Sequence, residues 1–248
     1  MISLDLDGPV GLITIDRQER LNALDPESSA EMRAMWLELR DRDDVCAVVV
    51  TGAGERSFSA GFDLKAVPDG FPLDPTPIGG IVKELQFFKP VLTAINGLAF
   101  GGGFEIVLAS DLRYAVPEAT FALPEPRWGL IPGGGGTVRL PMSLPWAIAC
   151  EVILAGRVLE AEEAERFGVI NGIVERERLL DHTLAKAHAI AALGPLAVRT
   201  CKEMMWRSHG MDPDVALRME ERMSYATQLS RDAEERVRGF AERGRRSP

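Results

Sequence analysis

Cysteine is scarce in this chain. Cys46, Cys150 and Cys201 are odd in number and widely spaced, so no disulfide framework and no zinc site can be read. Histidine is equally scarce: His182, His188 and His209 all fall in the last third, and His182 and His188 are expected on exposed helix faces. No Gly-x-Ser-x-Gly occurs, so serine-nucleophile chemistry finds no support, and metal chemistry has no cluster to use. No apolar run approaches the length of a membrane span. The start, Met1-Ile2-Ser3-Leu4-Asp5, has neither a basic region nor an apolar signal segment, and a cytoplasmic, soluble protein is expected. The net charge of -9, without a basic stripe interleaved with aromatics, argues against binding nucleic acid or anionic membranes. An anionic ligand stays open, because a few arginines and backbone N–H groups bind phosphate locally. What is present, 248 residues of which 46% are hydrophobic, suffices for one sizeable core with a small helical appendage.

Residues 2–7 and 10–15 alternate apolar and polar about Asp7-Gly8-Pro9 and predict a hairpin. Asp25-Pro26-Glu27 reads as a helix start, and the helix runs to about Arg40 with Met32, Met35, Trp36 and Leu39 on one face. Val45 to Thr51 and Pro90 to Ile95 read as buried strands, Gly101 to Ser110 as a helix, and Asp111 to Val116 as a further strand. The proline-rich stretch 66–77 predicts a loop, and about 78–88 a helix. This alternation predicts an α/β core with parallel strands and crossover helices. From about Pro145 helices dominate, at 145–155, 160–166, 176–192, 195–207 and 213–228, with one short strand near Val169 to Val174 and a frayed tail from Glu242. Asp212-Pro213-Asp214 reads as a helix start.

Three constellations carry chemical promise. In Ser57 to Lys65, Gly61 permits an unusual backbone angle, and Phe62 is expected to open a short helix with its N–H pointing outward; an ordinary strand-to-helix connection competes with that reading. In Asn96 to Glu105, Gly101-Gly102-Gly103 open a helix, where free N–H groups favour negative charge; close helix-on-sheet packing is the alternative. No dinucleotide or phosphate-loop pattern fits there or at Gly133 to Gly136. The third is the pair Glu105 and Glu125. Glu105 stands in an otherwise apolar helix and Glu125 between two prolines; two carboxylates in a dry cleft take opposite protonation states, one base and one acid. Against this stand a hydrogen bond from Glu105 to a neighbouring strand and a first-turn surface role for Glu125.

Taken together, these motifs resemble the crotonase superfamily, the enoyl-CoA hydratase/isomerase group. The resemblance rests on Leu21-Asn22-Ala23-Leu24, Phe58 to Lys65, Asn96-Gly97 with Gly101-Gly102-Gly103, Phe121 with Pro124-Glu125, Gly129-Leu130-Ile131-Pro132 to Gly136, Arg139-Leu140, and Gly156-Arg157, in that order. It implies an α/β, crotonase-like spiral of β-β-α turns over residues 1–190, with the acyl-CoA site, and a C-terminal helical region, 191–248, that builds homotrimers or hexamers. It implies a coenzyme A thioester as substrate, with no cofactor and no metal. The thioester oxygen would sit between the N–H groups of Phe62 and Gly102. Glu105 would deprotonate water for attack at C3, and Glu125 would supply the proton to C2. The CoA moiety would run along Arg20, Asn22 and Ala23 and along Ala60, Asp63, Leu64 and Lys65, with Arg20 and Lys65 toward phosphate. Retention of both glutamates favours an enoyl-CoA hydratase over an isomerase or a non-catalytic acyl-CoA binding protein. Phe62 departs from the alanine of common hydratases. The segment Phe121 to Glu125 with Leu130-Ile131-Pro132 also resembles carnitinyl-CoA dehydratases, whose cationic acyl group an aromatic such as Trp128 would suit.

Overall fold

Gly8, at φ +56, turns strand β1 (Ile2–Asp7) back into β2 (Val10–Ile15), and the two pair antiparallel as the expected hairpin, with Asp7 opposite Val10. The structure, a computed structural model, describes residues 1–66, 78–83 and 85–244; the expected loop at 66–77 lies almost wholly outside the described residues. Helix α1 (Pro26–Asp41) starts as its sequence dictates. The Asp25 carboxylate accepts the Ser28 N–H at 2.8 Å, and the Ser28 hydroxyl accepts the Asp25 N–H at 2.9 Å, a closed capping box. Met32, Trp36 and Leu39 of α1 are buried, one face as the periodicity requires.

The chain then climbs as a spiral. Strands β3 (Ala47–Gly52), β5 (Val91–Ile95) and β7 (Leu112–Ala115) lie parallel in one sheet. The short strands that follow each of them, β4 (Ser57–Ser59), β6 (Leu98–Phe100) and β8 (Thr120–Ala122), lie parallel in a second. Each turn thus leaves one strand in each layer. The larger sheet has the order β1-β2-β3-β5-β7-β10 and the smaller β4-β6-β8-β9, with β9 at Leu159–Glu160 and β10 at Gly172–Ile173. Ala47 to Gly52 is buried at every position, as a parallel strand covered on both faces must be, and each valine there contributes about 1.5–3 kcal/mol by leaving water.

Helix α2 (Gly102–Ala109) is apolar and buried through Leu108; Phe104 packs on Phe121 of β8 with ring centroids 5.3 Å apart. At its far end the Arg113 guanidinium donates to the carbonyls of Leu108 (3.1 Å) and Ser110 (3.0 Å), closing the helix against β7. The remaining helices are α3 (Gly136–Ser143), α4 (Trp146–Leu154), α5 (Ala161–Arg166), α6 (Arg176–Ala191), α7 (Pro195–Ser208), α8 (Pro213–Gln228) and α9 (Arg231–Gly244). Helix α6 buries Leu179, Thr183 and Ala187, whereas α7 and α8 bury no residue fully, and Met205 and Trp206 stay 76% and 59% exposed. The Asp212 carboxylate caps α8 as its sequence predicts.

Several expectations are corrected. The helix expected at about 78–88 is a single 3-10 turn, Ile78–Gly80, with no helix in the described residues beyond it. Gly79 and Gly80 both adopt positive φ (+62 and +71), and the Trp36 indole donates to Gly79 O at 2.8 Å; a regular helix cannot hold that geometry. The strand near Val169 to Val174 shrinks to Gly172–Ile173. Glu242 does not begin a frayed tail, because α9 continues to Gly244. His182 is not on an open face: its ring packs edge-on to Tyr114, with centroids 4.7 Å apart.

Candidate active site

Two glycine turns meet here. Gly61, at φ +86, ends the β4 turn, and a Cβ on it would lie 2.6 Å from Phe100 O and 2.7 Å from Gly102 N, so only glycine lets the two backbones approach. Phe62 does not open a helix, contrary to its sequence pattern; it forms a parallel bridge with Leu24, and a 3-10 turn follows at Leu64–Ala66. Leu24 N–H donates to Gly61 O (2.7 Å) and Leu24 O accepts the Asp63 N–H (2.9 Å). Leu24 therefore bonds the residues on either side of Phe62, and in such a parallel pairing the flanked residue turns its own N–H away from its partner. Gly102 is the first residue of α2, where the N–H has no intrahelical acceptor and the helix dipole adds partial positive charge. Neither N–H donates to protein among the described residues. Two unsatisfied backbone donors on adjoining turns are an arrangement that can receive a negatively charged oxygen. Ile78 sits against it, its Cδ1 2.1 Å from where a Gly102 Cβ would be.

Glu105 lies on the first turn of α2 and is only 3% exposed. Its bond goes to the glycine loop rather than to a neighbouring strand: Oε1 accepts the Gly136 N–H at 2.8 Å, at the start of α3. Burial pushes its carboxyl above the ordinary range, while the amides of Gly136 and Gly134 and the charges of Lys83 and Arg139 oppose that. Glu125 opens a 3-10 turn, Glu125–Trp128, held by its flanking prolines. A Cβ on Gly101 would lie 3.0 Å from its Oε1, so the carboxyl sits over the N-terminus of α2. Its Oε2 is buried and finds no protein partner. Desolvation, with the Glu105 charge adding to it, pushes the Glu125 carboxyl up to about 7. The two glutamates lie close enough for the charge of one to act on the other, and burial raises both carboxyls, with backbone amides opposing the rise at Glu105 and an unpartnered oxygen left at Glu125. Glu105 is held by donors that favour its ionised form, and Glu125 is left in a setting that favours its proton.

The other predicted residues divide in two. The Leu21–Ala23 loop and the Ala60–Lys65 turn are brought together, since Ala60 N–H donates to Leu21 O at 2.9 Å. Arg20, Leu64 and Lys65 are exposed on this surface. Asn22 and Asp63 face inward instead. Asn22, at φ +56 and 1% exposed, donates to Ala53 O (3.0 Å) and Ser57 O (2.7 Å) and accepts the Arg17 N–H (2.9 Å). The side chains of Asn22 and Asp63 hold the loops, while those of Arg20 and Lys65 stay exposed. Arg17 carries no functional signal in the sequence. Its guanidinium binds Asp25 (2.6 Å) and Ala23 O (2.5 Å) and lies 3.9 Å from Asp63, tying the start of α1 to the Phe62 turn. An arginine beside a Leu-Asn-Ala-Leu motif is a hint, but only three-dimensional contact reveals its acidic partners. Among the described residues no group of three or more His, Cys, Asp or Glu is placed to hold a metal, and no helix is long and apolar enough to cross a membrane.

Residues 6–247 match the family described as enoyl-CoA hydratase/isomerase. A carnitinyl-CoA dehydratase of Citrobacter koseri is 41% identical over 201 residues, 79% of this chain and 77% of that protein. One from Escherichia coli K12 is 39% identical over 221 residues, 88% of this chain and 84% of its own. The crystal structure of an enoyl-CoA hydratase from Mycobacterium tuberculosis H37Rv superposes with a TM-score of 0.92 at 34% identity, over 98% of this chain and 96% of that one. With its spiral of alternating strands, its paired glycine turns and these relatives, the chain belongs to the enoyl-CoA hydratase/isomerase family.

Proposed function

We propose that the protein is a hydro-lyase that adds water across the C2=C3 bond of a trans-2-enoyl-CoA thioester, and removes it in reverse. The observation that carries this reading is the neighbouring pair Glu105 and Glu125, the first fixed by amide donors and the second with an unpartnered oxygen and a carboxyl near 7. The thioester oxygen accepts hydrogen bonds from the Phe62 and Gly102 N–H groups. Glu105, ionised, takes a proton from water as its oxygen bonds to C3. The C2=C3 electron pair moves toward the thioester, and the charge on its oxygen grows between the two donors; one such donor is worth about 3 kcal/mol of barrier. Glu125, neutral, delivers its proton to C2. The protons then redistribute through solvent, restoring both carboxyl groups.

Arg20 and Lys65, exposed beside the paired loops, suit the CoA phosphates, and the backbone of Ala23, Ala60 and Leu64 suits the rest of that moiety. The chemistry asks for no cofactor. The helices from 191 onward, unable to bury their apolar faces alone, support a homotrimer or a hexamer of paired trimers, and we place the protein in the cytoplasm.

A specialised acyl group is favoured by one further observation. Trp128, three residues past Glu125 and 64% exposed, offers an open aromatic face to a cation, and the relatives from Citrobacter koseri and Escherichia coli are carnitinyl-CoA dehydratases. Glu105→Gln and Glu125→Gln should each lower hydration of a short trans-2-enoyl-CoA by orders of magnitude. Turnover like that of the wild type in either variant would sink the assignment.

A further inference from the structure

The geometry points to Arg139 as a positioning residue for Glu105: it fixes the glycine loop whose amides hold that carboxylate, and it sets a cation behind it. Arg139 lies on the first turn of α3. Its Nη1 donates to Gly134 O at 2.9 Å and its Nη2 to Val82 O at 2.8 Å, so the planar fork joins the glycine loop to the segment after the Ile78–Gly80 turn. Gly135 between them has φ +105, and a Cβ there would lie 2.1 Å from Nη1. The same loop closes on the glutamate from the other side. A Cβ on Gly134 would lie 2.5 Å from Glu105 Oε2, and Gly136 N–H donates to Oε1. The fork thus fixes the carbonyl side of a loop whose amide side grips the base.

Charge acts along the same line. Among the described residues, the groups that face Glu105 electrostatically are Arg139 from α3, Lys83 from the segment after the 3-10 turn, and Glu125 from the turn after β8. Arg139 and Lys83 favour the ionised carboxylate, and Glu125, once ionised, disfavours it. Burial in turn pulls the Arg139 guanidinium down and the Glu105 charge supports it, so the two ions sustain each other.

This inference rests on the hydro-lyase reading for its kinetic arm only, and Arg139→Gln and Arg139→Lys test it. Glutamine removes the charge and the fork; lysine keeps the charge on a single nitrogen. In Arg139→Gln, kcat should fall about 10- to 100-fold with KM for the thioester changed less than about 3-fold. The acidic limb of kcat/KM should move up by about half to one pH unit, because the ionised base is less favoured. Arg139→Lys should return that limb to its wild-type position while kcat stays low. A substrate-free arm follows the infrared carboxyl band that is present in wild type and lost in Glu105→Gln; its midpoint should rise in Arg139→Gln and recover in Arg139→Lys. An unmoved limb and midpoint in Arg139→Gln, with activity lost only in step with the folded fraction, overturns the proposal. If Arg139→Gln does not fold, a kcat in Arg139→Lys equal to wild type does the same. Absence of turnover in the wild type would refute the hydro-lyase reading alone and leave the infrared midpoint to decide this one.

Discussion

Replacing Glu125 by glutamine should stabilise the protein at alkaline pH while destroying its activity. The carboxyl rises from 4.5 to about 7 on folding, chiefly by desolvation. The native chain therefore holds this proton more tightly than the unfolded chain does. Wild-type stability falls as pH rises from about 4.5 toward about 7, and the whole cost is present above that. At about 1.4 kcal/mol per pH unit the rise is worth about 3 kcal/mol at most. The residue is only half-buried and keeps part of its hydration, which cuts the figure to about 1–2 kcal/mol. Glutamine has similar shape and no charge, so it removes the cost. For a chain of this size the gain corresponds to about 2–8 °C in Tm at pH 8.5, shrinking at pH 5 where the native carboxyl is neutral. Thermal unfolding of both proteins at equal concentration and at both pH values reads it directly. Because the Glu105 charge contributes to the rise, the gain should be smaller in a Glu105→Gln background. Glu125→Gln equal to or below wild type at pH 8.5, or stabilised equally at both pH values, would refute the reasoning.

The pH profile of kcat/KM for hydration should be a bell, rising as Glu105 ionises and falling as Glu125 loses its proton near pH 7; a profile flat from pH 6 to 9 contradicts the assigned protonation states. Gly61→Ala should cost activity by more than about 100-fold and destabilise by about 1–3 kcal/mol, since the new Cβ meets Phe100 O and Gly102 N at positive φ; unchanged kcat would show that the two turns need not touch. Asn22→Ala should lower stability by about 1–3 kcal/mol and loosen CoA affinity, because three hydrogen bonds between loops are lost; denaturant melts and titration with CoA check both. Met205→Lys should weaken self-association, seen by light scattering on a sizing column; a wild type that elutes as a stable monomer refutes the trimer or hexamer.

The sequence makes some of this molecule plain and leaves the rest to three dimensions. Helices with a cap and an apolar stripe, such as α1 from Asp25-Pro26 and α8 from Asp212-Pro213, are legible because their signals are local. So is β3, whose unbroken apolar run marks a strand covered on both sides. The second sheet is nearly invisible: β4, β6 and β8 have three residues each, too few for any period, and exist because the spiral pairs them. The turn at Ile78–Gly80 looks helical until Trp36 claims the Gly79 carbonyl. At the site, Glu105 stands out as a carboxylate in an apolar helix, and Glu125 by its prolines. The bridge that aims the Phe62 N–H depends on Leu24, thirty-eight positions earlier in the chain, and that pairing leaves no local mark. Arg17 is similarly silent, and Arg139 enters only as part of a family motif, because an arginine bound to carbonyls reads like any surface cation until its partners are known.

The most direct test offers the purified wild type crotonyl-, longer enoyl-, aromatic and crotonobetainyl-CoA side by side and reads the products by mass spectrometry. The account predicts that at least one is converted to a thioester heavier by one water, and that Glu105→Gln and Glu125→Gln each suppress that product. A rise in melting temperature with every thioester and no change of mass in any would contradict it.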